Sequence, residues 1–277
     1  MMKKIAAIAA AAVLAAGTAG CTKTDVEPVT HGELAVTFFD IGKADSMVIR
    51  TENSTVVIDC GEKGDGKQIV NMLTEQDIDT VDYLIITHYD KDHVGGAAKV
   101  IKDLDVKNVL APDYEENSDE VKKYNKALTG KSITPQLLTT DLSFELDGAE
   151  YTVYAPKKDY YGEDNDNDFS LVTKVVHGEN TLLFTGDAME QRLEEIMDIG
   201  PCTFLKLPYH GRKLDNFAQF IDAVKPKCAV ACTDEAEFSS STQKALSERK
   251  IKYYATCTNG RIDLTSNGKE ISITTER

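Results

Sequence analysis

From Leu34 onward, short apolar runs alternate with turn residues, and their periods switch between those of strand and helix. "LAVTFFDIG" (34–42), "SMVIRT" (46–51) and "STVVIDCG" (54–61) predict three strands separated by Gly, Asp and Asn. "GKQIVNMLTEQ" (66–76) predicts a helix, because Ile69, Val70 and Leu73 fall on one stripe. "VDYLIITH" (81–88) predicts a buried strand ending on His88, and "VGGAAKVIKDL" (94–104) a helix after an acidic turn. A short apolar run at 107–112 precedes a polar helix at 117–130 and strands at 143–148 and 150–156. Residues 169–187 predict a hairpin turning at His177-Gly178-Glu179-Asn180. Helices at 188–200, 216–226 and 239–250, the last with a Ser cap, alternate with strands at 203–211, 228–233 and 251–256. Two more strands follow, at 260–266 and 270–275.

Strand runs followed by a helix occur twice, with no clear sequence repeat and no low-complexity linker within 32–277. Two packed mixed sheets with helices on their outer faces, an αββα sandwich of the α/β class, is the layered solution expected for such a pattern. Residues 32–277 therefore read as one domain.

The opening 1–20 reads differently. Lys3 and Lys4 precede the apolar stretch Ile5–Ala16, and small residues lead to Cys21, the pattern of a lipoprotein-type signal peptide. Cys21 is the expected lipidation site and 21–31 a tether, which would export the protein and anchor it to the outer face of the cell membrane. The formal charge of −15 argues against non-specific nucleic-acid binding, which depends on Lys and Arg neutralising phosphates. Beyond Cys21 the remaining five cysteines are an odd number with no CxxC pair, which argues against a disulfide framework and a zinc ribbon. Cys228 and Cys232, in "CAVAC", read as buried thiols.

Three apolar runs stop at metal-competent residues: at His88, at Gly186-Asp187 and at Tyr209-His210-Gly211. The first opens "THYDKDHVGG" (87–96), where His88, Asp90, Asp92 and His93 crowd one turn. Imidazole and carboxylate together suit Zn²⁺, Mn²⁺ or Fe, and Gly95 and Gly96 allow close backbone approach behind the ligands. The stretch "EDNDND" (163–168) begins like a calcium loop, but Phe169 and Val175 occupy its Gly and Glu positions, so it reads as a solvated loop. His31 and His177 stand apart from these motifs and read as incidental.

"HYDKDH" resembles the H-x-[HD]-x-D-H signature of metallo-β-lactamase-fold hydrolases. The chain further resembles the hydrolase domain of ComEC-type competence proteins through "DIGKADS" (40–46), "IDCG" (58–61), residues 87–96, Asn167–Val172 with Leu182–Asp187, "LKLPYHGR" (205–212) and "VKPKCAV" (224–230). The resemblance implies that His88 and Asp90 hold one metal and that Asp92, His93 and His210 hold a second, with Asp187 bridging. Asp59 would brace the ligand loop. Such a centre of two divalent ions, Zn²⁺ or Mn²⁺, makes hydroxide at neutral pH and clamps a phosphodiester.

Three departures bear on substrate. Asp90 replaces a His, and Asn167 and Ser170 stand where a third His would complete the first metal site, which favours Mn²⁺. Asn167 or Asp168 is expected to contact that metal or the substrate, and Asp92, Asn167 and Ser170 are the catalytic candidates. Tyr209 and Arg212 replace the residues flanking the second "HHGS" His, and "DEAEFSSST" (234–242) replaces a "YGHP" loop.

The expected function is an exported phosphodiesterase acting on nucleic acid, nucleotide or wall polymer. Lys43 and Arg212 are candidates to steady the developing negative charge. The alternatives are a choline-phosphate or teichoic-acid esterase of the envelope and a non-catalytic metal-binding lipoprotein. The incomplete set of three histidines argues against a true β-lactamase. The membrane, through the lipid anchor, is the expected partner, and no protein partner is expected.

Overall fold

The structure is a computed structural model that describes residues 26–162 and 165–277. The expected signal peptide (1–20) and Cys21 lie outside the described residues, as do Glu163 and Asp164 of the acidic stretch. The part of the expected tether that is described lies on the domain: Val26 packs against its core and Arg50 donates to Glu27 O at 3.4 Å.

In chain order the first half carries β1 (Leu34–Phe38), β2 (Ser46–Arg50), β3 (Thr55–Cys60), α1 (Gly66–Thr74), β4 (Thr80–Ile85), α2 (Lys91–Val94), α3 (Ala97–Asp103), β5 (Asp105–Pro112), α4 (Asp119–Lys131) and β6 (Gln136–Leu138). Then come β7 (Leu142–Leu146), β8 (Ala149–Tyr154), β9 (Val172–His177), β10 (Asn180–Phe184), α5 (Glu190–Ile196), β11 (Phe204–Lys206), α6 (Phe217–Val224), β12 (Cys228–Ala231), α7 (Ser240–Glu248), β13 (Lys252–Ala255), α8 (Thr256–Asn259), β14 (Ile262–Ser266) and β15 (Ile271–Thr275).

Among the described residues these strands form two sheets, ordered β15-β14-β1-β2-β3-β4-β5-β6 and β13-β12-β11-β10-β9-β8-β7. Each sheet is antiparallel in one half and parallel in the other, the parallel runs being β3-β4-β5-β6 and β10-β11-β12-β13. This is the expected αββα sandwich.

Its layering follows from strand alternation. In β3, Val56 and Ile58 enter the core between the sheets while Val57 packs under the helices, so "TVVIDC" is apolar throughout rather than alternating. Leu84 and Ile85 of β4 divide in the same way. Phe38, Phe184 and Phe204 meet at the centre, with ring centroids 5.4–6.3 Å apart. Helices α1, α3 and α4 cover one outer face and α5, α6 and α7 the other.

The differences from expectation are local. The helix expected over 94–104 begins only at Ala97, as α3, and the acidic turn before it forms α2; Gly95-Gly96 separate the two because this segment runs hard against the β3–α1 loop. A Cβ on Gly96 would strike the Cys60 carbonyl, and one on Gly95 would meet Glu62 and Lys63 backbone at 2.8 Å. Strand β6 went unrecognised because its three residues carry no readable period. The hairpin turns where expected, but its first strand begins at Val172, and Asp166–Phe169 form a 3₁₀ turn instead.

Candidate metal centre

The central parallel strands of both sheets end at one place. β3 runs into Asp59, β4 into Thr87-His88, β10 into Gly186-Asp187, and β11 into the Pro208–Gly211 turn that carries His210. The ends of parallel strands are where α/β folds place their sites, because loops there converge on a rigid frame. Backbone bonds lock the loops together: Asp45 N–H donates to Asp92 O at 3.1 Å, Gly96 N–H to Gly61 O at 3.0 Å, and Leu171 N–H to Thr87 O at 2.9 Å.

His88, His93 and His210 are fully buried, and Asp92 and Asp187 nearly so. His93 Nδ1 lies 2.8 Å from Asp59 Oδ2, which also accepts the Thr87 hydroxyl at 2.6 Å, while Asp59 Oδ1 accepts the Thr87 N–H at 2.9 Å. Asp59 does this from a left-handed backbone with φ 55°. His88 Nδ1 lies 3.1 Å from Thr87 Oγ1, and His210 Nδ1 lies 2.9 Å from Cys232 O. With each Nδ1 so engaged, Nε2 is the nitrogen each ring has left for a ligand.

Those nitrogens point into a space that already holds carboxylate oxygens. Asp187 Oδ2 is 2.9 Å from His210 Nε2 and 3.4 Å from His93 Nε2; Asp92 Oδ2 is 3.6 Å from His210 Nε2; Asp90 Oδ2 is 3.6 Å from His88 Nε2. None of the three Nε2 atoms makes a well-directed hydrogen bond. Imidazole nitrogens and carboxylates crowded together at burial call for positive charge between them, from protons or from a metal, and the donors are those that borderline divalent metals take. The residues present therefore fit a metal.

Two groups, His88–His93–Asp187 and Asp92–His93–His210, each gather their ligand atoms within 4.8 Å, and Asp45 joins Asp187 and His210 in a third. Asp90 lies outside these groups, beside His88. In the protein without bound ions, burial disfavours the charged forms, but Asp187 and Asp59 outweigh it and hold the His93 imidazole well above its ordinary value. Asp187, Asp45 and Asp92 do the same for His210. Burial likewise opposes ionisation of Asp187, and the two imidazoles overcome it and hold its carboxyl well below the usual carboxylate range.

The segment 165–170 meets the site at Ser170 and distributes its polar residues unevenly. Asn167 Oδ1 is buried without a hydrogen bond, while its amide reaches Met189 Sδ at 3.5 Å. Asp168 is buried rather than solvated: Oδ1 accepts from Met189 N at 2.7 Å and Arg192 N at 3.2 Å, and Oδ2 from Asn165 at 2.8 Å. Oδ1 thus ties down the start of α5 and Oδ2 holds Asn165, which leaves Asn167 as the residue of this pair with an unengaged oxygen. Ser170 is also fully buried, and its hydroxyl accepts the Asp187 N–H at 3.1 Å, a contact that positions the ligand.

The rim carries two cations. Lys43, one-third exposed, reaches Asp92 Oδ2 at 3.1 Å. Arg212 stacks over Tyr209 with its guanidinium 4.8 Å from the ring centroid and pairs with Glu237 of the 234–242 loop. His177 is not incidental to the fold, since it is buried with Nδ1 2.9 Å from Ser266 Oγ, whereas His31 is exposed beside Glu52. Cys60, Cys202, Cys228, Cys232 and Cys257 are free thiols.

The family model of the metallo-beta-lactamase superfamily matches residues 40–234, a span that runs from the "DIGKADS" motif past His210. The chain belongs to the metallo-beta-lactamase superfamily. Proteins of this fold are generally metal-dependent hydrolases that bind one or two divalent ions. The chain is similar to ComE operon protein 3 of Bacillus subtilis (26% identical over 226 residues, 74% of this chain and 29% of that protein). It is also similar to competence protein ComA of Neisseria gonorrhoeae (27% identical over 240 residues, 83% of this chain and 31% of that protein). It thus spans about three-tenths of the length of these relatives. Among solved structures, the metallo-beta-lactamase fold protein YhfI of Bacillus subtilis matches with a TM-score of 0.57 at 9% identity, over 87% of this chain and 99% of that one. Igni18, a metallo hydrolase of Ignicoccus hospitalis, matches with a TM-score of 0.51 at 14% identity, over 88% of this chain and 100% of that one. These likenesses support the superfamily fold.

Asp45, Lys206, Thr87 and Arg192 were missed by sequence reasoning. Asp45 and Lys206 sit inside the motifs "DIGKADS" and "LKLPYHGR", so the signal was a charge held within a motif. Thr87 opens the quoted "THYDKDHVGG" but nothing in the motif marks its role, and Arg192, whose Nε donates to Ser170 O at 3.0 Å, carries no signal in the sequence alone.

Proposed function

We propose that the chain is an exported, lipid-anchored phosphodiesterase with a dinuclear centre. The observation that carries the metal reading is the convergence of three unengaged imidazole Nε2 atoms on the oxygens of Asp187, Asp92 and Asp90. The similarity to competence proteins supports a phosphodiester of nucleic-acid type as the bond cleaved. His88, His93 and Asp187 would hold one ion, with Asp90 beside them, and Asp92, His93 or Asp187, and His210 the other. Two such ions, when bound, would supply a low-pKa water and polarise the phosphoryl group.

The residues of this chain do the rest. Asp59 and the Cys232 carbonyl fix the tautomers of His93 and His210, so that Nε2 is the nitrogen presented. Lys43 and Arg212 place positive charge at the mouth of an otherwise acidic protein, where it offsets charge building on the phosphoryl oxygens. Asn167, whose buried Oδ1 lacks a hydrogen-bond partner, is the candidate to complete the first site or contact substrate.

The test is hydrolysis of bis(4-nitrophenyl) phosphate by the full chain with Mn²⁺ or Zn²⁺, with Asp92→Asn alongside. Metal-dependent turnover that the variant loses supports the reading. Equal rates in both, or no turnover in a parent shown to hold two ions, would sink the phosphodiesterase assignment.

A further inference from the structure

Lys206 closes β11 with no accessible surface, and an ammonium at that depth is costly unless it is paired. Its Nζ pairs with Asp45, donates to Gly186 O at 3.0 Å and stands 3.8 Å from Asp187 Oδ1. Asp45, equally buried, turns its other oxygen toward His210 Nδ1 at 3.5 Å. Its backbone donates to Asp92 O at 3.1 Å and accepts from Gly61 N at 2.8 Å. The pair therefore touches the loops that carry Asp92, Asp187 and His210 while having no surface of its own from which to touch a substrate.

The two oxygens of Asp187 face different neighbours. Oδ2 faces the imidazole nitrogens of His210 and His93, and Oδ1 faces Lys206. Rotation about the last side-chain bond of an aspartate is soft and roughly two-fold, so the carboxylate has little preference of its own. A fixed positive charge on one side supplies that preference.

We propose that Lys206, with Asp45 as its counter-ion, is a positioning residue that sets the rotation of the Asp187 carboxylate, so that Oδ2 is the oxygen presented to divalent ions. This rests on the dinuclear reading of the site and is independent of which bond the protein cleaves. A buried ion pair kept solely for packing is replaceable by apolar side chains with no effect on metal.

The test uses the full chain and Mn²⁺ alone, read by calorimetric titration and by electron paramagnetic resonance. The variants are Lys206→Met, which keeps the stem and removes the charge, and Lys206→Arg, which keeps the charge. Asp45→Leu/Lys206→Met removes the pair without leaving an orphaned acid, and gives the same readout should the single variant fail to fold. The parent is expected to bind two ions with an exchange-coupled spectrum. Lys206→Met or the double variant, melting cooperatively, is expected to bind at least one ion about 10–100-fold more weakly and to lose the coupled signal. Lys206→Arg is expected to recover part of both. A folded charge-free variant with parental affinities and a parental spectrum overturns the proposal while leaving the dinuclear reading intact. A parent that binds fewer than two ions overturns both.

Discussion

Asp59 lies 2.8 Å behind His93, its carboxylate on Nδ1 and away from the face that meets the other ligands. The same carboxylate takes both donors of Thr87, the residue before His88, so one side chain fixes two positions of the ligand loop. Asp59→Asn keeps the shape but puts an amide against Thr87 and His93. Metal affinity is expected to fall about 10–100-fold with the fold retained, as isothermal titration with Mn²⁺ beside circular dichroism would read.

Gly96→Ala is expected to be among the more damaging small substitutions in the chain. The added methyl meets the Cys60 carbonyl and the Gly66 backbone, neither of which is the end of a flexible side chain. A loss of about 1–3 kcal/mol in urea denaturation is expected, with weaker metal binding because the ligand loop must shift. Gly130→Ala, where nothing lies within 4 Å, is the control, and its stability should match or exceed the parent's.

The buried pair beneath the site gives a stability profile with a defined sign. Burial opposes the charged form of Asp45, but Lys206 and His210 hold its carboxyl below the ordinary value of 3.8, so its contribution is present above that pH and lost as pH falls through the folded value. Burial also opposes the charged form of Lys206, and Asp45 and Asp187 raise it above 10.5, so its contribution is present below that pH and lost as pH rises beyond the folded value. Lys206→Met should therefore lower stability by about 3–5 kcal/mol across the interval between, with the gap from the parent closing in acid. Melting scans from acid to mildly alkaline pH would reveal it. A gap of the same size in strong acid would mean that packing, not charge, carries the effect.

Thiol chemistry offers a check on burial. Burial pushes the Cys202 thiol up to about 12 and the Cys228 thiol up to about 11, so at pH 8 both are almost wholly protonated. Iodoacetamide at that pH, followed by peptide mapping, is expected to modify partly exposed Cys257 well before Cys202, Cys60 or Cys232. Rapid labelling of Cys232, whose carbonyl receives His210, would contradict the packing behind that ligand.

Much of the sandwich was legible because its strands are short apolar runs bounded by turn residues. The ligand candidates were legible because His88, Asp187 and His210 fall where such runs stop. What escaped has a physical reason in each case. Asp45 and Lys206 are charges whose cost is met by each other across 161 residues, and a pattern along one chain does not display a pairing across space. Asp168 lies in a stretch acidic enough to read as solvated, yet it is buried and two of the three hydrogen bonds to its oxygens come from the start of α5. Strand β6 is too short to show alternation, and the helix at 94–104 read as starting before its glycines because the steric demand at Gly96 comes from the distant Cys60 carbonyl.

The site is built on a seam. His88, Asp92 and His93 follow β4 of the first sheet, whereas Asp187 and His210 follow β10 and β11 of the second. Neither half can assemble the ligand set alone, so capture of an ion at the seam would be coupled to docking of the two halves during folding. An ion held there at 100 times its dissociation constant adds about 2.7 kcal/mol to the stability of the docked state. The same ion would then serve as a reversible staple, making resistance to unfolding follow the supply of metal in the compartment where the protein works.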